Sequence, residues 1–116
     1  MSNLIKTKDD ALKALNDVDP EKVFYVSDGT LLHNIKELHS ALKSMHPGTY
    51  AYHANPEKND FSNWLNHVIC DEKLAKDIIG KTQEDAEKLV SQRIAYLHKT
   101  AASKAAKKTA KKSFKK

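Results

Sequence analysis

Glycine, proline and cysteine are all scarce in this chain: 116 residues hold three, three and one of them. With so few glycines there is no glycine-rich loop to wrap a phosphate, and no G-x-S-x-G turn to expose a nucleophilic serine. The single cysteine, Cys70, cannot form an intrachain disulfide, which fits a reducing compartment. Its neighbours Val68 and Ile69 suggest a buried, unreactive thiol. No apolar run approaches the roughly 18 residues that a membrane-spanning helix needs. The opening segment MSNLIKTKDDALKAL has no apolar stretch of the kind a secretory signal carries. These features predict a cytoplasmic protein without membrane insertion.

Another absence sits at the C-terminal end. The segment Thr100–Lys116, TAASKAAKKTAKKSFKK, has no acidic residue and seven lysines. The chain as a whole carries +5, and residues 1–99 hold 13 Lys+Arg against 15 Asp+Glu, a net of −2. The basic character thus belongs to the tail and not to the body. A slightly acidic body with a lysine-alanine tail is suited to meet a polyanion through that tail, and nucleic acid is the commonest polyanion in a cell. The candidate contact residues are Lys104, Lys107, Lys108, Lys111, Lys112, Lys115 and Lys116. The first six follow the i, i+3, i+4, i+7, i+8, i+11 spacing of one helix face. Alanine between them favours helix. Lysines three and four apart oppose it by about 0.2–0.5 kcal/mol per pair. The expectation is a tail that is disordered alone and becomes helical when phosphates neutralise it. Its alanine- and threonine-rich remainder makes a poor apolar face, and Phe114 alone could enter a bilayer deeply.

Over residues 99–116 the AAKK-type repeats resemble the tails of linker-histone-like proteins and of bacterial histone-like proteins with lysine-rich extensions. The resemblance implies coating of DNA without reading its sequence, and hence nucleoid association. RNA is a possible partner on the same chemistry, since lysines hardly distinguish the two backbones. No pair of surface aromatics of the RNA-recognition type is visible.

The remaining 99 residues suffice for one modest core. Thr7-Lys8-Asp9-Asp10 reads as a capping box opening a helix that closes before Asp19-Pro20. Val23–Val26 reads as a buried strand closed by Asp28-Gly29. Leu31, Ile35, Leu38, Leu42 and Met45 define an amphipathic helix ended by Pro47-Gly48. Thr49–His53 reads as a second strand, so a βαβ unit with parallel strands is suggested, although antiparallel pairing stays open. Asn59 or Asp60 caps a third helix with Phe61, Trp64, Leu65, Val68 and Ile69 on one face. Asp71 caps a fourth with Leu74, Ala75, Ile78 and Ile79, and Gly80 ends it. Thr82–Asp85 opens the last helix, which carries Ala86, Leu89, Val90, Ile94 and Leu97 and enters the tail with no breaker. The fold class is α+β, mainly helical, with a small two-stranded sheet. Residues 1–99 form the compact domain and 100–116 the disordered basic tail.

The pieces FYVSDG, KELHSALKSM, TYAYHAN, NDFSNWL and DEKLAKDI, between Val23 and Ile79, resemble a small prokaryotic domain family without an assigned activity. That resemblance implies the order of elements and no catalytic residue.

Chemistry in the body has few candidates. Six histidines, His33, His39, His46, His53, His67 and His98, form no H-x-x-x-H or C-x-x-C pattern, so no metal or other cofactor is expected. The segment Tyr52–Leu65 is the densest in unusual residues. Most of it serves a turn at Asn55-Pro56 and helix capping by Asn59 and Asp60. His53, Asn55 and Asn59 are the candidates for a small polar pocket that binds a ligand or a partner's backbone. The sequence is not expected to encode an enzyme. It reads as a DNA-binding architectural protein, or as an adaptor whose body binds another protein, or itself, while the tail keeps it near nucleic acid.

Overall fold

A computed structural model of the chain describes residues 7–109, with side chains other than those of Lys8 and residues 103–109. It is mainly helical, with two short antiparallel hairpins. The first helix, α1 (Lys8–Leu15), starts as its sequence dictates: the Thr7 hydroxyl accepts from the Asp10 amide at 3.1 Å and the Asp10 carboxylate accepts from the Thr7 amide at 3.3 Å. A single 3-10 turn at Pro20–Lys22 leads into β1 (Phe24–Tyr25).

β1 pairs antiparallel with β2 (Leu31–Leu32), in the register Phe24 to Leu32 and Tyr25 to Leu31. The turn between them is held by Gly29, at φ +96°, and by the Asp28 carboxylate, which accepts from the Thr30 amide at 2.9 Å. Alternation sends Phe24 and Leu32 inward and leaves Tyr25 and Leu31 exposed.

Asn34 caps α2 (Ile35–Ser44), whose Ile35, Leu38 and Leu42 are buried. Leu31, expected on that helical face, belongs instead to the hairpin.

The parallel βαβ unit does not form. Thr49–His53 lies in a helix, α3 (Pro47–His53), and each strand pairs with its neighbour in sequence. The reason is Pro47. Proline ends a helix it falls inside, but it suits the first position of a new one, where no amide bond is lost. Here His46 is the N-cap, and its Nδ1 accepts from the Gly48 amide at 2.9 Å. The β preference of Thr49, Tyr50 and Tyr52 is a weak term that burial overrides. Tyr50 and His53, three apart, share the buried face of this helix of about two turns.

A second hairpin, β3 (Ala54–Asn55) and β4 (Lys58–Asn59), turns at Pro56. Asn59 caps α4 (Asp60–Trp64), which runs on into one π-helical turn, Leu65–Ile69. Cys70 ends that turn at φ +66°. Its thiol is exposed, contrary to the burial its apolar neighbours suggest. The extra residue in the π turn rotates the following position off the inward face, so Ile69 is buried and Cys70 is not.

Asp71 caps α5 (Glu72–Asp77), and the chain reverses through Gly80 at φ +78°. Ile79, expected inside, is exposed after this reversal. The last helix, α6 (Gln83–Thr109), is the longest. Thr82 accepts from the Asp85 amide at 3.1 Å to start it. α1 and α2 both pack along α6, which buries Ala86, Val90 and Leu97 fully and Leu89, Ile94 and Ala101 in part. The boundary expected after residue 99 thus falls within a continuous helix, and the first ten tail residues extend it. No described helix is long and apolar enough to cross a membrane.

Two buried side chains tie segments remote in sequence. Trp64 is buried among Phe24 and its neighbours, with Nε1 donating to the Lys22 carbonyl at 2.8 Å. Asp71, wholly buried, takes both Nε (2.7 Å) and Nη2 (3.0 Å) of Arg93 from α6.

Trp64→Ala is expected to cost about 3–5 kcal/mol in denaturant unfolding, because it opens a cavity under β1. Arg93→Ala is expected to cost a similar amount, about 3–5 kcal/mol, because it leaves a buried carboxylate unpaired. Adding Asp71→Asn to Arg93→Ala should recover part of that loss, since it removes the orphaned charge. The three unfolding curves check this.

Candidate nucleic-acid interface

The lysines of the tail fall into two sets. Lys104, Lys107 and Lys108 lie on the described part of α6, and Lys111, Lys112, Lys115 and Lys116 lie outside the described residues. The helix that carries the first set has 27 residues, about 40 Å at 1.5 Å per residue. Glu84 and Asp85 occupy its first turn, and lysine is concentrated at its other end. Both placements agree with the helix dipole, which favours anions at the start and cations at the finish. A helix that costs little to nucleate is the result, because Ala86, Val90 and Leu97 already hold it against the body.

The other candidates, His53, Asn55 and Asn59, sit together at hairpin β3–β4, and their hydrogen bonds run to the chain's own groups. Asn55 is exposed: Oδ1 accepts from the Glu57 and Lys58 amides at 3.0 and 3.2 Å, and Nδ2 donates to the Ala51 carbonyl at 3.0 Å. It thereby fastens the hairpin turn to α3. Asn59 Oδ1 accepts from the Ser62 amide at 3.0 Å, an N-cap bond.

His53 is different, because its partners are remote in sequence. Nε2 accepts the backbone N–H of Ser27 at 3.0 Å, and Nδ1 meets Asp60 Oδ2 at 3.0 Å. An acceptor Nε2 carries no proton, so the proton sits on Nδ1 and is donated to Asp60. The ring is only 5 % exposed and is enclosed by Phe24, Phe61 and Tyr52. The order Ser27–His53–Asp60 resembles a nucleophile, base and orienter in outline. The nitrogen a base would use, however, is filled by the Ser27 amide and not by its hydroxyl. The geometry is that of a tether, which ties the β1–β2 turn to the start of α4.

Lys58 Nζ reaches the same Asp60 oxygen at 2.9 Å and lies over the exposed Tyr52 ring, 4.7 Å from its centroid. Burial pushes the Asp60 carboxyl up, but the hydrogen bonds from His53 and Lys58 outweigh it and hold the group below the usual range. Bonds from the Thr30 amide and hydroxyl lower Asp28, and the His33 amide and ring lower Glu37. No group of three or more His, Cys, Asp or Glu side chains that could hold a metal occurs among the described residues.

An open cleft of about 390 Å³ lies between α2 and α6, lined by Leu42, Lys43, Gln83, Glu84 and Glu87. Two of its polar side chains, Gln83 and Glu87, are engaged. Gln83 Nε2 donates to the Leu42 and Met45 carbonyls at 2.9 Å each, closing the end of α2, and Glu87 meets His39 Nε2 at 2.6 Å.

Sequence reading finds the caps at Thr7, Asn59, Asp71 and Thr82 but misses the Ser27–His53–Asp60 and Asp71–Arg93 links. Their partners are separated by up to 26 residues, and nothing local marks them. The chain matches no protein family, no curated protein and no solved structure at a significant level.

Because Asp60 ionises more readily in the folded state, it adds stability above the ordinary carboxylate range near pH 4 and withdraws it as pH falls through its lowered value. Asp60→Asn is expected to destabilise the protein at pH 7 and to flatten the loss between pH 5 and pH 3, as read from urea midpoints across that interval. A variant with the wild-type pH profile would assign the acid sensitivity to other carboxylates.

Proposed function

We propose that this protein binds nucleic acid without sequence preference through the lysines at the end of α6, as a nucleoid-associated architectural protein. The observation that carries this is the charge division: seven lysines and no acid in residues 100–116, against a net of −2 in residues 1–99. Lysines are point charges that bind phosphate without needing a base-edge partner, so the contact is electrostatic and sequence-blind. The mildly acidic body adds no attraction of its own and is left clear of the duplex except where the tail draws it in. The tethers around His53 and Asp71 keep that body rigid, as a spacer needs. No catalytic step is part of this reading, and the same electrostatics extends to RNA.

The adaptor reading draws on a separate observation. Tyr25 is 69 % exposed and faces the exposed Leu31 across the β1–β2 register, an apolar pair turned outward from a small domain. In that reading the hairpin binds a protein and the tail holds the complex near nucleic acid.

Binding to duplex DNA across a salt series tests the proposal. Deleting Thr100–Lys116 should remove most of the affinity and leave the body folded, with a small loss of stability from the partly buried Ala101. For the full chain, log K should fall with log salt at a slope of up to about −6, the limit for seven neutralised phosphates at −0.9 each. Full affinity in the truncated chain, a flat salt series or strong preference for one duplex would refute it.

A further inference from the structure

The described histidines use their rings in two ways. His33 and His39 present a ring nitrogen to a carboxylate, Glu37 at 2.8 Å and Glu87 at 2.6 Å, and a second proton on either ring strengthens the pair. His53 does the opposite at Nε2, which accepts the Ser27 N–H at 3.0 Å while Nδ1–H is donated to Asp60. His46 also accepts, from the Gly48 amide, but its ring is exposed and the bond joins near neighbours. The His53 bond spans 26 residues and holds the turn of the β1–β2 hairpin. The base of that hairpin has its own anchors: Trp64 Nε1 donates to the Lys22 carbonyl, Phe24 stacks on Phe61, and Val26 and Leu32 are buried. The tip, residues 27–30, is exposed. Its bonds from Gly29 to Val26 and from Thr30 to Asp28 stay within the turn.

An imidazole that gains a second proton is a donor at both nitrogens. Nε2 then turns an N–H toward the Ser27 N–H, and the bond between them is lost. We propose that His53 is a proton-operated latch: with one proton it holds the turn at residues 27–30 against α3 and α4, and with a second it releases that turn while Nδ1–H stays on Asp60. The charged groups around the ring fit a local release. Asp60, on α4, faces Nδ1 and balances the imidazolium charge. Burial pushes its carboxyl up, but the bonds from His53 and Lys58 hold it below the usual range, so it stays ionised where imidazole ordinarily titrates. Lys58, on β4, reaches the same Asp60 oxygen at 2.9 Å and opposes a further positive charge. Asp28, in the turn itself, is held low by the Thr30 amide and hydroxyl, and its carboxylate attracts the charged ring. The rings of Phe24, Phe61 and Tyr52 close the other sides. Only the released turn leaves Nε2 free to take the proton, so falling pH favours release, by at most about tenfold per pH unit for one proton. Tyr25 and Leu31 face outward from the same hairpin, so the latch governs how firmly that exposed pair is held.

Nitrogen NMR of the histidine rings and amide hydrogen exchange of the full chain, from about pH 7.5 to about pH 5, test the latch across the ordinary imidazole range. At the upper end His53 should show the Nδ1–H tautomer. As pH falls, Nε2 should gain a proton and the Ser27 amide resonance should shift with the same midpoint. Below that midpoint Ser27 should lose up to about tenfold of its exchange protection per pH unit, after correction for the intrinsic pH dependence of exchange. The Trp64 Nε1–H should keep its protection throughout, because the base of the hairpin stays anchored. In His53→Gln, an amide oxygen that accepts at every pH replaces the titrating nitrogen, and Ser27 protection should no longer follow pH. The inference is overturned by an Nε2–H tautomer at neutral pH, by a ring that takes no second proton, or by a Ser27 amide that ignores the His53 midpoint. Loss of Trp64 Nε1–H protection at that midpoint, or a folded His53→Gln protein whose Ser27 still responds to acid, overturns it as well. The wild-type readings decide by themselves where the variant does not fold.

Discussion

Much of the fold hangs on one buried carboxylate. Asp71 is wholly inaccessible to solvent and holds three things at once. Its backbone amide donates to the Leu65 carbonyl at 2.8 Å and closes the π turn. Its Oδ1 accepts from the Leu74 amide at 3.2 Å and caps α5. Both oxygens take the Arg93 guanidinium, which joins α5 to the middle of α6. A charge so placed is tolerable because the bidentate pairing and the cap bond satisfy it. Arg93 in turn lies against Tyr96, 4.6 Å from the ring centroid. The pair sets which side of α6 faces the body, and the other helices pack around that choice.

His53 plays the corresponding part at the other end of the domain. The β1–β2 hairpin has only two residues per strand and could not hold its position by pairing alone. The Ser27-to-His53 bond, the Trp64-to-Lys22 bond and the ring contacts of Phe24 with His53, Phe61 and Trp64 secure it. The function proposed for the chain needs rigidity of this kind more than it needs a pocket. The packing of α1 and α2 along α6 holds that helix against the body.

What was legible in the sequence was local. The capping bonds of Thr7, Asn59, Asp71 and Thr82 occur where the residue types place them, because each cap involves groups three positions apart. The apolar stripes of α2 and α6 follow from periodicity for the same reason. Local readings failed where tertiary burial decided between near-equal alternatives, as at Thr49–His53 and Cys70. Thr49–His53 became a helix because Pro47 can start one and the inward placement of Tyr50 and His53 rewards it. Cys70 turned outward because a single added residue in the π turn shifted the phase.

The sequence by itself determined the division of charge, the helical period of the lysines and the amphipathic faces, since each of these is a property of order and spacing along one segment. Only the tertiary structure decided that β1 pairs with β2, that His53 binds Ser27 and Asp60, that Asp71 finds Arg93, and which face of α6 meets the body. Those choices join groups remote in sequence, and the free energy that selects them comes from simultaneous burial of many side chains, which no single segment contains.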